Sequence, residues 1–178
     1  MVIKQKSVFC VFIFYFLFPF EFGFCLGLSS TMGEVILENL TIGATYSVVQ
    51  QSGMYLEVLN RGDVPVSLRI DVTKPKNIPE DLKEGYEPIP STDWVKIEKS
   101  SFSEIQPSEK AITDITIIIP YDKKHYGKRY QVYLWSRTIP QKGSIVAAGL
   151  IHRVLFSIAK KKNGFFGKLF KFLHLKKK

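Results

Sequence analysis

Cysteine is nearly absent from this chain, and both copies, Cys10 and Cys25, lie in the first thirty residues. If that stretch is removed on export, no thiol remains. Disulfides, cysteine nucleophiles and zinc–thiolate sites are then excluded from the rest. Histidine is scarce as well. His125, His152 and His174 show no metal-ligand spacing, and there is neither a Gly-x-Ser-x-Gly elbow nor a phosphate-cradling glycine loop. Carboxylates cluster between residues 80 and 87 but lack the glycine and oxygen-ligand spacing of a calcium loop. No metal, cofactor or catalytic residue is therefore expected. Helical periodicity is almost missing from residues 34–158, and acid is missing from the end: Lys160 to Lys178 carries eight lysines and no Asp or Glu.

What is present divides the chain into three parts, residues 1–30, 31–159 and 160–178. The middle part holds 15 Lys+Arg and 15 Asp+Glu, so the excess of +9 comes almost wholly from the tail. The first part reads as a signal peptide. Lys4 and Lys6 precede the apolar run Val8–Phe20, and small residues follow at Gly27, Ser29 and Ser30. A charged start, a core of about 7–15 apolar residues and a small-residue exit define that class. Cleavage is expected after Gly27, Ser29 or Ser30. An uncleaved anchor over Val8–Leu28 is the alternative; it must carry Glu21, at roughly 2.5–3.5 kcal/mol on insertion scales, and Pro19. Lipidation at Cys25 would place Phe24 where a small residue belongs.

The middle part is a series of short Val-, Ile-, Thr- and Tyr-rich runs bounded by Gly, Pro, Asn and Asp, the pattern of strands and turns. Strands are predicted near Glu34–Leu40, Thr45–Gln50, Met54–Asn60, Val64–Thr73, Trp94–Glu98, Ile112–Ile119, Arg129–Arg137 and Ile145–Ile158. Leu56 and Val58 share one face, as do Val66, Leu68, Ile70 and Val72. Val132 and Leu134 point inward, with aromatic residues on the opposite face. Asn60-Arg61-Gly62-Asp63 reads as a tight hairpin turn in which Gly62 supplies positive φ. Trp94 or Trp135 is expected in the core. About seven or eight strands at this spacing imply an all-β antiparallel sandwich. An apolar leader helix would precede it and a basic amphipathic helix follow.

The segment from Lys74 to Asp93 breaks the pattern with four prolines and the acids Glu80, Asp81, Glu84 and Glu87. Pro79–Glu84 suits one helical turn ended by Gly85. The whole segment is either a functional or mobile loop or a solvated crossover.

Several phrases of this middle part are turn and strand-edge signatures in a familiar order. They are Val58-Leu59-Asn60-Arg61-Gly62-Asp63-Val64-Pro65-Val66, the Trp94-led strand, the Pro107-Ser108-Glu109 turn, Ile117-Ile118-Ile119-Pro120, and Tyr126-Gly127 leading to Tyr130. Residues 34–158 thereby resemble immunoglobulin-like domains of bacterial envelope proteins. The nearest are the peptidoglycan-binding domain of WxL-interacting proteins and the first domain of periplasmic pilus chaperones. The resemblance implies an immunoglobulin-like sandwich with envelope-protein or cell-wall partners, and it carries over no ligand residue. A pilus chaperone would also need a second sandwich.

Candidate sites follow. Arg61-Gly62-Asp63 spells an integrin-type tripeptide that hairpin chemistry already explains. Lys123, Lys124, Lys128 and Arg129 surround tyrosines. Ala147-Ala148-Gly149 marks a close approach of another backbone or, more simply, a bulge. The tail is the principal site. Written as a helix, it gathers Phe165, Phe166, Leu169, Phe170 and Leu173 opposite Lys168 and Lys171, with Lys160, Lys161 and Lys162 ahead of it. An apolar face opposite a basic one suits an anionic membrane interface, each basic residue adding about 1 kcal/mol there. A terminal helix packed on the sandwich is the competing reading. Export argues against nucleic acid. The expectation is an exported, periplasmic or extracellular, membrane-associated and non-enzymatic binding module. The alternative is an envelope polymer-processing enzyme using loop 74–93.

Overall fold

The computed structural model describes residues 25–76, 80–140 and 147–161. Twelve strands are present among them: β1 Leu28–Ser30, β2 Glu34–Leu40, β3 Thr45–Ser47, β4 Leu56–Asn60, β5 Val66–Thr73, β6 Glu87–Pro88, β7 Val95–Ile97, β8 Ser101–Ile105, β9 Lys110–Thr113, β10 Ile115–Ile118, β11 Arg129–Ile139 and β12 Gly149–Ile158. One short α-helix is present among the described residues, α1 Val48–Ser52 after β3, with single 3-10 turns at Thr92–Trp94 and Lys123–His125. The fold is an all-β sandwich. The expected leader and tail helices fall outside the described residues.

The larger sheet has the order β2-β12-β11-β5-β8, with β6 running parallel beside the start of β11. Its centre is an antiparallel pair in which Arg129–Arg137 face Gly149–Ser157 without interruption. β2 joins parallel to β12. The other layer consists of two short sheets, β1-β4-β9 and β3-β10-β7. Strand alternation dictates the core: Leu56, Val58, Val66, Leu68, Ile70, Val132, Leu134, Val154 and Phe156 are all buried. Each such side chain contributes about 1.5–3 kcal/mol by leaving water.

Several expectations need correction. The run Ile112–Ile119 is two strands, because Asp114 turns aside to cap the neighbouring helix. Its carboxylate accepts from Ser47 Oγ at 2.6 Å, Val49 N at 3.2 Å and Ile115 N at 2.6 Å. Thr45–Gln50 likewise gives way to α1, whose N-cap is Ser47. β8 lies in a stretch that the sequence pattern assigned to no element. Asn60–Asp63 is a crossing between sheets and not a hairpin, since β4 pairs with β1 and β9 while β5 pairs with β11 and β8. Asn60 is buried and fixes this crossing. Its Nδ2 donates to the carbonyls of Val64 (2.8 Å) and Ile105 (3.0 Å), and its Oδ1 accepts from Gly62 N (2.9 Å). Gly62 is required by space and not by positive φ, because a Cβ there would stand 2.5 Å from the Cys25 carbonyl oxygen.

Neither tryptophan is buried. Trp135 is 40% exposed, and Trp94 lies half-buried at the rim, edge-on to His125 (4.8 Å) and Tyr130 (5.5 Å). Phe156 fills the centre instead.

β1 lies inside the expected leader, residues 1–30, at its end, and is part of the sandwich. Leu28–Ser30 pair with Val58–Asn60, Cys25 N donates to Asp63 Oδ1 at 2.9 Å, and half-buried Leu26 and Leu28 pack on the core. A chain beginning at residue 31 is therefore expected to lose about 2–4 kcal/mol relative to one beginning at residue 25. Urea titration of the two forms measures the difference. Equal midpoints would mean that β1 contributes nothing.

Candidate functional site

Aromatic and charged side chains converge on the outer face of the larger sheet. The convergence follows from the register of β11. Val132, Leu134 and Ser136 point inward, so Tyr133, Trp135, Arg137 and Ile139 point outward. β12 sets Arg153, Ile151 and Gly149 opposite the first three, and β5 sets Thr73, Asp71 and Arg69 on their other side. Ile151 is 63% exposed and Ile139 47%. Gly149 has a specific purpose. A Cβ there would come within 3.0 Å of Trp135 Nε1, so glycine lets the indole lie against β12. The close approach expected at Ala147–Gly149 is thus made by a side chain. The bulge is absent, since pairing is regular up to Gly149.

Two acid-centred triads flank the aromatic residues. Asp71 accepts from Arg69 Nε (2.8 Å) and Arg137 Nε (3.0 Å). Burial opposes ionisation of Asp71, but the two arginines prevail and hold its carboxyl below the usual 3.8. Glu34 pairs with Lys83 Nζ and with Arg153 Nη1 at 3.2 Å. The Lys83 hydrogen bond, aided by Arg153, holds Glu34 below 4.5 against partial burial. Both carboxylates are committed to the ionised form, which suits them to charge pairing and not to general acid chemistry. Arg137 lies over the Trp135 ring at 4.8 Å, and Arg153 lies 6.0 Å from the Tyr133 ring centre. Arg153 Nε is shielded from water yet has no acceptor among the described residues, a shortfall of about 1–3 kcal/mol. A cleft of about 480 Å³ opens beside it, walled by Gly33, Glu34, Glu80, Asp81, Tyr133 and Ile151.

The far wall of that cleft is the loop after β5, a largely solvated crossover to β7 in the other layer that is not α-helical over its described residues and is pinned to the sheet. Gln131, fully buried, grips it with its whole amide. Nε2 donates to Asp81 O (2.7 Å), and Oε1 accepts from Lys83 N (2.8 Å). Tyr133 Oη also donates to Asp81 O, and Ile89 N to Gln131 O at 3.0 Å. Gly85, at φ +78°, turns the chain between these anchors. Replacing Gln131 by Leu leaves the Lys83 N–H without its acceptor and the Asp81 C=O with the Tyr133 hydroxyl alone. A loss of about 1–3 kcal/mol is expected, with faster proteolysis confined to residues 80–90. A variant as stable and as protease-resistant as the parent would show that the clamp is dispensable.

The other sequence candidates are placed as follows. Lys160 and Lys161 are exposed just beyond β12. Lys162, Phe165, Phe166, Lys168, Leu169, Phe170, Lys171 and Leu173 lie outside the described residues. Arg61-Gly62-Asp63 is not a presented tip: Gly62 is buried, Arg61 Nε donates to Ser29 Oγ, and Asp63 receives Cys25 N. In the Lys123–Arg129 cluster, Lys124 pairs with Asp122 (2.8 Å) and Lys128 with Glu87 (2.6 Å), so half of the charge is already answered. The outer-face triads were not among the candidates. Their one legible signal was the aromatic alternation in β11.

Two histidines are structural. His152 Nδ1 meets Met32 O at 2.6 Å, which fixes its proton there, and the Ser136 hydroxyl faces Nε2 at 3.0 Å. His125 Nδ1 meets the Tyr130 hydroxyl at 2.7 Å. Burial lowers both from 6.5, and Asp122 only partly opposes it at His125. Burial, with Glu87 and Asp122 nearby, pushes Tyr130 up to about 12. Depressed histidines bind fewer protons folded than unfolded. Their contribution is therefore complete above 6.5 and is lost as pH falls below it. Urea midpoints should drop between pH 7 and 5.5, by at most about 1.4 kcal/mol per pH unit per histidine. The drop should shrink in His152→Gln. A flat profile would contradict neutral buried histidines.

With this geometry in view, comparison with solved structures becomes informative. A PapD-like (ASH) domain of human CEP192 superposes at TM-score 0.51 and 11% identity, covering 76% of this chain and 87% of that one. A protein of Bacteroides ovatus proposed to bind carbohydrate gives 0.53 at 13%, covering 74% of this chain and 37% of that one. The E. coli chaperone DraB gives 0.47 at 12%, covering 75% of this chain and 55% of that one. The fold is immunoglobulin-like, of the PapD-like kind. The chain spans little over a third of the Bacteroides protein and about half of the chaperone. No protein family and no curated protein matches the sequence.

Proposed function

We propose that this chain is an exported, non-enzymatic envelope module. Its body contacts an envelope protein or a cell-wall polymer, and its basic tail rests on an anionic lipid surface. The observation that carries the first half is the exposed outer face of the larger sheet, where Trp135, Tyr133 and Ile151 lie between two Arg/Lys–carboxylate triads. An apolar patch rimmed by charge marks a binding surface. A PapD-like domain and a protein proposed to bind carbohydrate share the fold and support a binding module over an enzyme. The second half is supported by the lysines and phenylalanines after Ala159.

Both halves can be tested on full-length protein. Wild type should retain a component of envelope extract that Trp135→Ser does not. Deletion of residues 160–178 should abolish sedimentation with anionic vesicles while the melting temperature stays within about 2 °C, since a surface helix adds little to the core. Phe166→Ser with Phe170→Ser should weaken sedimentation even at low salt. A deletion that instead lowers the melting temperature and leaves lipid binding near zero would mean that the tail packs on the sandwich.

A further inference from the structure

The larger sheet offers a partner its face and not its edges. β8 is five residues long, its pairing with β5 shifts register, and Glu104 within it sits at φ +54°. β2 carries a register break near Phe156/Ile158 and Asn39 at φ +59°. Short, bulged and charged edges are devices that prevent strand addition. A polypeptide donated as an extra strand therefore has no regular edge to follow on this sheet, and the occupant must be recognised by side chains on the face.

Those side chains have an uneven charge along β11. At the Trp135–Arg137 end, Arg69 and Arg137 share the single carboxylate of Asp71, an excess of one positive charge. At the Tyr133 end, Lys83 and Arg153 face Glu34, Glu80 and Asp81, an excess of one negative charge. Between the two ends stand the Trp135 and Tyr133 rings, with exposed Ile151 beside them. From Arg137 to Tyr133 is four residues of strand, about 13 Å, the length of a short oligomer and not of one small molecule. An occupant must therefore present flat apolar faces to aromatic planes, an anion at one end, and neutral hydrogen-bonding groups at the other. There it finds the carboxylates of Glu34, Glu80 and Asp81 as acceptors, with the Arg153 guanidinium beside them. Arginine's planar fork matches a carboxylate in two parallel bonds.

We propose that this face binds an acidic polysaccharide, with sugar rings on Trp135 and Tyr133, a uronate-type carboxylate at Arg69–Arg137 and hydroxyls in the cleft beside Arg153. The inference rests on the binding-module reading and names the ligand class for the same face. An acidic peptide would match the charge but not the rings. A neutral glycan would match the rings but leave the Arg69–Arg137 excess unanswered.

The test titrates full-length protein with three probes: a trisaccharide of two neutral sugars ended by one galacturonate, its carboxyl-reduced form and tri-glutamate. The indole N–H signals of the two tryptophans report binding without mutation. The acidic trisaccharide should move one of them saturably and bind at least about tenfold tighter than the other two probes. Trp135→Ser should weaken it by about tenfold or more. Arg137→Gln should weaken the acidic trisaccharide and leave the reduced form unchanged. If neither indole signal moves, or tri-glutamate binds equally well, or Trp135→Ser binds as wild type does, the proposal is overturned. That last result would identify the tail lysines as the anion site. Failure of the glycan alone is distinguishable from failure of the wider reading. Trp135-dependent retention of envelope extract without trisaccharide binding overturns the glycan and keeps the binding face, whereas Trp135-independent retention overturns both.

Discussion

The register between β11 and β12 is the constraint on which the rest depends. Side chains on a strand alternate between faces, so a slip of one residue would exchange the two sets completely. Val132 and Leu134 would enter water, and Tyr133, Trp135 and Arg137 would enter the core. Burying an unpaired arginine is prohibitive, and exposing two aliphatic side chains forfeits several kcal/mol, so the observed register has no near competitor. That one choice places Gly149 beside Trp135, Arg153 beside Tyr133 and Asp71 next to Trp135 on the other flank. The functional face is in this sense the residue of core formation: whatever the core did not take in stands on it.

Gln131 shows how the same register shapes the cleft. By alternation it belongs to the outer face, yet it is completely buried, because the loop after β5 folds down over it. A buried amide must have its hydrogen bonds, and here the backbone of Asp81 and Lys83 supplies them. The loop is thereby tied to the sheet at its middle, and β6 extends the attachment alongside β11. One cleft wall is thus loop and the other is sheet. Arg153 and Glu34 sit where the two meet, held together with Lys83 from the loop itself.

Many of the strand positions were legible because strands with one wet face advertise themselves. The alternations in Leu56–Val58, Val66–Ile70 and Val132–Leu134 located the core correctly. Less was legible wherever an element's role depended on a distant partner. Nothing local in Asn60-Arg61-Gly62-Asp63 distinguishes a hairpin from a crossing between sheets; the difference lies in the Asn60 bond to Ile105 and in the Cys25 carbonyl crowding Gly62. Asp114 splits a run of β-favouring residues only because Ser47 and Val49 are within its reach. The triads were invisible for the same reason. Asp71 and Arg137, or Glu34 and Arg153, are far apart in sequence and meet only through strand order. Tryptophan misled because size suggests burial. Trp135 stands instead on the outward alternation, and its place is set by the neighbours Val132 and Leu134 and not by its own hydrophobicity.

In the proposed function, a formally neutral body and a basic tail divide two kinds of recognition between them. A dense run of lysines attracts any anionic surface, with a strength that salt reduces and with little selectivity. The outer face is built differently. Its charges are few, mostly paired, and fixed by hydrogen bonds at defined positions beside aromatic planes, an arrangement that discriminates by geometry more than by net attraction. In the proposed function, selectivity belongs to the sandwich and location to the tail. A body carrying the tail's charge density would bind every anionic polymer nearby and lose the distinction that its two triads make. Near-neutrality of residues 31–159 is what allows a single local excess, at Arg69 and Arg137, to matter.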